Sequence, residues 1–378
     1  MTAVPTAGDA LERARAAAGP RARAWRAPGR ANLIGEHTDY NDGLVLPVAL
    51  DMATCVAGTP GGDVVRLRSL EEPGDVVVDV ATGRGPERGW GRYARAVVRA
   101  LRDDGVAVRG FDGVVASDVP VGSGLSSSAA LEVALAHALA DDPLDPLRIA
   151  TICRRAENVY VGVECGIMDQ LASAAGVEGH ALLIDCRTNE VEPVPLPPAV
   201  RVLLVDSGTA RGLSDGEYNA RRAQCERAAA ALGVRSLRDA TPAGLDARRG
   251  DMDEGDYRRA RHVVTENERV RAAAAALRAG RLDALGDLFD AAHRSLAADF
   301  DVSLPELDAL VEAAAGTPGV LGARLTGAGF GGCTVNLVDA AAAEDAAAAV
   351  LDAYEAATGR RTRAWLSGAA TGAGPVDA

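Results

Sequence analysis

Pro120-Val121-Gly122-Ser123-Gly124-Leu125-Ser126-Ser127-Ser128-Ala129-Ala130 leads into a segment, Ala129 to Ala140, in which Leu131, Ala134, Leu135 and Ala138 recur at helical spacing. A glycine- and serine-rich loop therefore feeds directly into a helix. Glycines let the backbone approach a ligand closely, amide N–H groups at the helix's positive end attract phosphate, and serine hydroxyls add donors or bind a divalent ion. The spacing by itself is not specific. Gly-x-Gly-x-x-Ser mimics the dinucleotide fingerprint and occurs in plain turns, and three consecutive serines serve equally well as helix caps. Against a dinucleotide fold, no clear acidic residue ends a strand about twenty residues further on, where only the Ala-rich helix continues.

On the N-terminal side of this loop, Gly113 to Ala116 reads as a strand and Tyr93 to Asp103 as a helix. The β-branched stretch Val64 to Val80, with a turn at Pro73-Gly74, reads as a hairpin. Asp9 to Ala18 is helix-prone, and Trp25 to Arg30 leads through a Gly- and Asn-rich stretch to the apolar run Leu44 to Leu50. On the C-terminal side, a second helix carries Ile149, Ile152, Cys153 and Ala156 on one stripe, and a third begins near Asp169. Pro193-Val194-Pro195-Leu196-Pro197-Pro198 is stiff and extended and marks the expected domain junction. Beyond it come a strand, Val200 to Asp206, and three helical stretches, Tyr218 to Leu232, His262 to Arg278 and Leu282 to Phe300. Gly319 to Asp339 follows as strand, loop, strand, and then an Ala-rich helix spans 340–357. Thr371 to Ala378 are mostly small and are expected to fray.

Composition removes whole classes of function. With 378 residues, 48% hydrophobic and 25% charged, the chain can bury a core and is long enough for two domains sharing a cleft. A net charge of -13 argues against nonspecific duplex binding or an anionic membrane surface. None of the 40 basic residues is a lysine. That excludes a P-loop, a pyridoxal Schiff base and a protein-kinase site, each of which needs one. The six cysteines form no C-x-x-C pair and the five histidines no H-E-x-x-H, so neither a zinc site nor a disulfide framework is expected. No window of eighteen apolar residues occurs and the first 25 residues lack a continuous apolar stretch, so no membrane span or signal peptide is expected. A soluble, cytoplasmic protein is expected.

Two further segments carry chemistry. Between Arg26 and Gly43, the side chains of Arg30, Asn32, Glu36, His37, Asp39 and Asn41 fall within twelve residues beside glycines. A polyhydroxy ligand needs such a mixture, since every buried hydroxyl must be paired as donor and acceptor; a solvated loop is the plain alternative. Gly322 to Cys333 holds five glycines through Gly332, a density that marks close backbone approach to a ligand or another segment, or else a flexible hairpin. Glu157 sits on or beside the apolar stripe of its helix, where an unpaired carboxylate is costly and a cation would offset it. Asp169 stands among apolar residues in Cys165-Gly166-Ile167-Met168-Asp169-Gln170-Leu171, equally suited to capping the next helix and to catalysis.

Together these segments resemble galactokinase, a family within the superfamily that also includes homoserine, mevalonate and phosphomevalonate kinases (GHMP). Gly29-Arg30-Ala31-Asn32-Leu33-Ile34-Gly35-Glu36-His37-Thr38-Asp39-Tyr40-Asn41 is similar to the galactokinase signature, Gly122 to Ala130 to the superfamily's ATP loop, Cys165 to Gln170 to its catalytic-acid segment, and Gly322 to Gly332 to its third motif. Leu325 and Ala328 depart from the more usual Met and Gly, which bears only on loop fit. The resemblance implies a two-domain α+β fold. Residues 1–198 would form an N-terminal sugar- and ATP-binding domain of mixed sheet and helices, and 199–378 a C-terminal ferredoxin-like domain, with the active site between them.

By the same resemblance, the activity is transfer of the γ-phosphate of MgATP to O1 of galactose. Asp169 is the implied general base, and Arg30 stabilises developing charge and holds Asp169 as the carboxylate. Glu36, His37, Thr38, Asp39, Gly166 and Tyr218 are the implied sugar contacts. Gly122, Ser123, Gly124, Leu125, Ser126, Ser127 and Ser128 would cradle the nucleotide, and Ser128 and Glu157 would hold Mg²⁺. The protein is expected to be a monomer without nucleic-acid or membrane partners. Alternative readings are a kinase for N-acetylgalactosamine or another hexose, and a noncatalytic galactose sensor. The intact Ser126-Ser127-Ser128-Ala129-Ala130 stretch stands against the sensor, whose relatives have it shortened.

Overall fold

The computed structural model describes residues 8–209 and 214–377. Its first part runs α1 (Ala10–Ala18), β1 (Arg23–Asn32), β2 (Leu44–Val45), β3 (Pro47–Pro60), β4 (Val64–Ser69), β5 (Val76–Asp79), α2 (Gly91–Asp103), β6 (Phe111–Ser117), α3 (Ser127–Leu139), α4 (Pro146–Arg155), α5 (Met168–Ala175), β7 (His180–Asp185) and β8 (Glu190–Pro195). The second part runs β9 (Val200–Asp206), α6 (Ser214–Leu232), α7 (Pro242–Ala247), α8 (Glu254–Arg278), α9 (Asp283–Ser295), α10 (Pro305–Ala315), β10 (Val320–Leu325), β11 (Cys333–Asp339), α11 (Ala343–Thr358), β12 (Ala364–Ser367) and β13 (Gly374–Val376).

Six strands in the order β13-β1-β3-β6-β4-β5 form a mixed sheet, parallel only between β4 and β6. β3 is buried along most of its length, with α1 and α3 packed on it, and the apolar run Leu44 to Leu50 spans β2 and the start of β3, where Leu44, Leu46, Val48 and Leu50 enter one apolar cluster. β10, β11, β9 and β12 make a separate, wholly antiparallel sheet. Leu33, Leu46 and Leu125 from the first part share one apolar cluster with Val202, Leu204, Phe289 and Val335 from the second. The two parts are therefore welded by a common core behind the cleft.

Two helices escape the periodicity reading, Pro242–Ala247 and Pro305–Ala315, yet both begin with Pro at the first turn, a position where its missing N–H costs nothing. Thr241 Oγ1 accepts from the Gly244 N–H to cap the first of them. The Pro-rich segment proves to be more than a spacer. Through Pro195 it is the edge strand β8, paired on one side to β7, where proline is tolerated because the other side needs no donor. The expected fraying of Thr371 to Ala378 is corrected: Gly374–Val376 pairs antiparallel with Ala24 to Arg26, carrying the chain back to the first sheet, while Ala378 lies outside the described residues. Among the described residues, no helix is long and apolar enough to cross a membrane.

Candidate active site

β1 delivers Arg30 and the start of α5 delivers Asp169 to one point. Arg30 Nε and Nη2 donate to Asp169 Oδ1 at 2.9 and 2.6 Å, and Nη1 donates to the Gly124 carbonyl at 2.5 Å. The guanidinium is buried, 4% exposed, whereas the Asp169 side chain keeps 27% of its surface. Ser126 has a left-handed backbone (φ 61°), an unfavourable state for a residue with a Cβ, and its Oγ donates to Asp169 Oδ2 at 2.5 Å. Asp169 therefore does not cap α5. Its two oxygens are held by Arg30 and Ser126, and it faces a cavity of about 350 Å³.

The glycine–serine loop follows, with Gly122 and Gly124 at positive φ (76° and 83°). Ser128 Oγ donates to Glu157 Oε1 at 3.2 Å, and Gln170 Nε2 donates to Glu157 Oε2 at 2.7 Å. Glu157 lies on a π-helical turn, Ala156–Val161, that continues α4; such turns often occur at functional sites. Burial pushes its carboxyl up to about 7, and the Asp169 charge adds to this. Two hard oxygen ligands beside a phosphate loop fit Mg²⁺, which usually takes few protein ligands and completes its octahedron with phosphate and water. Behind them lies Glu132, fully buried and 3.4 Å from Gln170 Nε2; burial first, then the Glu157 charge, push it well above the carboxylate range. Glu132 is absent from the sequence-based site, and Gln170, though inside the catalytic-acid segment, is given no role there. The available signal was one charged residue, Glu132, amid the apolar run of α3.

At the other end of the cavity stand Glu36, His37, Asp39 and Tyr218. Glu36, 1% exposed, pairs with the fully buried Arg324 and accepts from the Gly327 N–H at 3.1 Å. His37 Nε2 lies 3.2 Å from the Ala328 carbonyl, which can only accept, and Nδ1 lies 2.9 Å from the Tyr40 hydroxyl. The His37 ring stacks on Phe300 with centroids 4.3 Å apart. Asp39 lies against Gly166, where an added Cβ would sit 2.1 Å from Asp39 Oδ2, so only glycine leaves room for the carboxylate. Burial, and then the charge of Asp169, push Asp39 up to about 6.

Four expected contact residues support the cavity without lining it. Thr38 Oγ1 lies 2.8 and 2.6 Å from the Gly35 and Leu44 carbonyls and ties the sugar-signature loop together. Ser123 Oγ donates to the Pro120 carbonyl at 2.7 Å, Leu125 is buried in the apolar core, and Gly166 backs Asp39. Of the third glycine segment, Gly327 and Ala328 reach the cavity. Gly332 is instead required where an added Cβ would meet the Ser123 carbonyl oxygen at 2.7 Å, so this segment buttresses the glycine–serine loop. Arg92 and Tyr93, on the first turn of α2, also line the cavity and were not singled out in the sequence.

The chain is similar to known proteins. Family models match the galactokinase galactose-binding signature at residues 14–60, the GHMP kinases N terminal domain at 92–177 and the GHMP kinases C terminal domain at 273–356. A galactokinase of Roseiflexus sp. (strain RS-1) is 47% identical over 362 residues, covering 93% of this chain and 92% of its own. The Homo sapiens galactokinase is 46% identical over 360 residues, covering 92% and 90%. The crystal structure of Lactococcus lactis galactokinase complexed with galactose superposes with a TM-score of 0.89 at 33% identity, covering 93% of this chain and 95% of that one. Methanococcus jannaschii mevalonate kinase, at 16% identity and a TM-score of 0.65 over 93% and 100%, shares the fold.

Proposed function

The chain belongs to the galactokinase family of the GHMP kinases, and from that premise we propose that Asp169 takes the proton of the anomeric hydroxyl of galactose as the γ-phosphate of ATP passes to O1. The activity is that of an ATP-dependent galactokinase. The Asp169 carboxylate, held by Arg30 and Ser126 between the sugar-signature loop and the phosphate loop, is the observation that carries this assignment. As the proton leaves for Asp169, a bond forms from O1 to the γ-phosphorus and the bond from that phosphorus to the β,γ-bridging oxygen breaks; ADP departs with the electron pair, and the product is galactose 1-phosphate.

Little covalent chemistry is left to the protein, so positioning and charge stabilisation dominate. Glu36, His37, Asp39 and Tyr218 orient the sugar, with Thr38 and Gly166 fixing them in place. Gly122 to Ser128 present backbone N–H groups and the N-terminus of α3 to the phosphates. Ser128 and Glu157 would hold Mg²⁺, which when bound neutralises charge on the β- and γ-phosphates. The sugar-binding and ATP-binding unit extends over 1–198 and the ferredoxin-like unit over 199–378, except that Gly374–Val376 returns to the sheet of the first unit. The protein acts as a cytoplasmic monomer, and its net charge of -13 disfavours nucleic-acid partners.

The test offers galactose, N-acetylgalactosamine, glucose and mevalonate separately with MgATP and identifies the phosphorylated oxygen. Galactose-selective transfer to O1 is expected. Phosphorylation of N-acetylgalactosamine in its place would reassign the sugar, and binding of galactose and ATP without transfer would make the chain a sensor.

Asp39 adds a pH dependence. With its carboxyl raised to about 6, the acceptor form needed by sugar hydroxyls is complete above pH 7 and is lost as pH falls through 6. The galactose KM is expected to rise about tenfold between pH 7 and pH 5, and Asp39→Asn should flatten that rise, while the ATP KM carries the separate titration of Glu157, whose carboxyl stands at about 7. An unchanged slope in that variant would assign the titration elsewhere.

A further inference from the structure

The sugar-signature loop, residues 35–44, belongs to the first half of the chain, yet one face of α8 from the second half holds it. His262, Glu266, Asn267 and Val270 recur at helical spacing along that face, and all four are buried. Glu266 Oε1 accepts from the Gly35 N–H at 2.9 Å, and Asn267 Oδ1 accepts from the Leu44 N–H at 2.8 Å. Both ends of the loop are thus tied to adjacent side chains of one helix. Close by, His262 Nε2 lies 3.1 Å from the Glu36 carbonyl, which can only accept.

Packing fixes the same contact. An added Cβ at Gly35 would sit 2.9 Å from Val270 Cγ2, and one at Gly43 would sit 2.8 Å from Asn267 Oδ1. The two holding side chains are themselves held, since Arg269 Nε donates to Glu266 Oε2 at 2.6 Å and Asn267 Nδ2 donates to the Val263 carbonyl at 2.8 Å. Glu36, His37 and Asp39 of this loop line the cavity, whereas Glu266 and Asn267 stand behind it. We propose that Glu266 and Asn267 are positioning residues for galactose, which keep Glu36, His37 and Asp39 in the arrangement the sugar needs by fixing the backbone at Gly35 and Leu44. A loop without one of these ties spends part of its time elsewhere, and galactose affinity falls with the fraction of chains left in the competent form. This rests on the reading of Glu36, His37 and Asp39 as sugar contacts.

Calorimetric titrations of galactose and of MgATP into the intact protein, Glu266→Met, Glu266→Gln and Asn267→Leu test it. Glu266→Met and Asn267→Leu each leave a buried N–H without its acceptor and should weaken galactose about tenfold to a hundredfold, the size of that penalty, with MgATP within about threefold. Glu266→Gln keeps an acceptor for the Gly35 N–H and should recover most of the galactose affinity. Unchanged galactose affinity in Glu266→Met and Asn267→Leu would overturn the assignment. An equal loss of MgATP in both variants, loss of all binding included, would overturn it too, because the contacts would then support the fold as a whole. Retained MgATP affinity reports that a variant is folded. A native chain that binds MgATP but no galactose would overturn the sugar reading itself, a result separate from any behaviour of the variants.

Discussion

Asp169→Asn is expected to lower kcat by roughly 10²- to 10⁴-fold, the contribution of a positioned general base, while both KM values stay within about threefold. Asparagine keeps the shape of the side chain and an oxygen that can accept from Arg30, but it has no lone pair basic enough to take the anomeric proton. Arg30 retains the Gly124 carbonyl, so the loop keeps one of its ties to β1. Steady-state kinetics together with calorimetric galactose binding checks the result. Activity within tenfold of the unmodified enzyme would remove Asp169 from the role of base.

The other large effect lies in the third glycine segment. Arg324 is 0% exposed; it donates to the Asn32 and Leu33 carbonyls at 3.2 and 2.9 Å and pairs with Glu36. Arg324→Met leaves the Glu36 charge buried without its counterion, a change that costs about 3–5 kcal/mol of stability. Galactose binding should weaken with it, because Glu36 lines the sugar end. Adding Glu36→Gln removes the stranded charge and keeps an acceptor for the Gly327 N–H and the Thr326 hydroxyl. The double variant should regain most of the lost stability and still bind galactose poorly. Denaturant midpoints measured beside galactose titrations separate the two effects; a midpoint unmoved by Arg324→Met would deny the pair its structural weight.

Local signals made much of the molecule readable. Helices such as α3, α8 and α11 show in their composition, and the hairpin of β4 and β5 in its turn at Pro73-Gly74. Where the reading failed, a longer-range partner had overridden the local preference. Gly374–Val376 looks like a frayed tail until β1 offers it an unpaired edge, and Pro193 and Pro195 look like a linker until β7 pairs with the backbone around them. At the site, Arg30 and Asp169 could be named because each stands in a motif with an implied role, whereas Arg92 and Glu132 stand outside the motifs, and Gln170 and Arg324, though inside them, have chemistry that depends on what lies opposite.

The sequence by itself determined the absence of lysine chemistry, the presence of a glycine–serine anion loop at a helix start, and the resemblance that names the kinase family. Only the tertiary structure decided which groups meet. Arg30 and Asp169 are 139 positions apart, and Arg324 and Glu36 are 288 apart. Their energies depend on burial and on separations of a few ångströms, quantities that no local stretch of chain encodes and that appear only once the sheets and helices have packed.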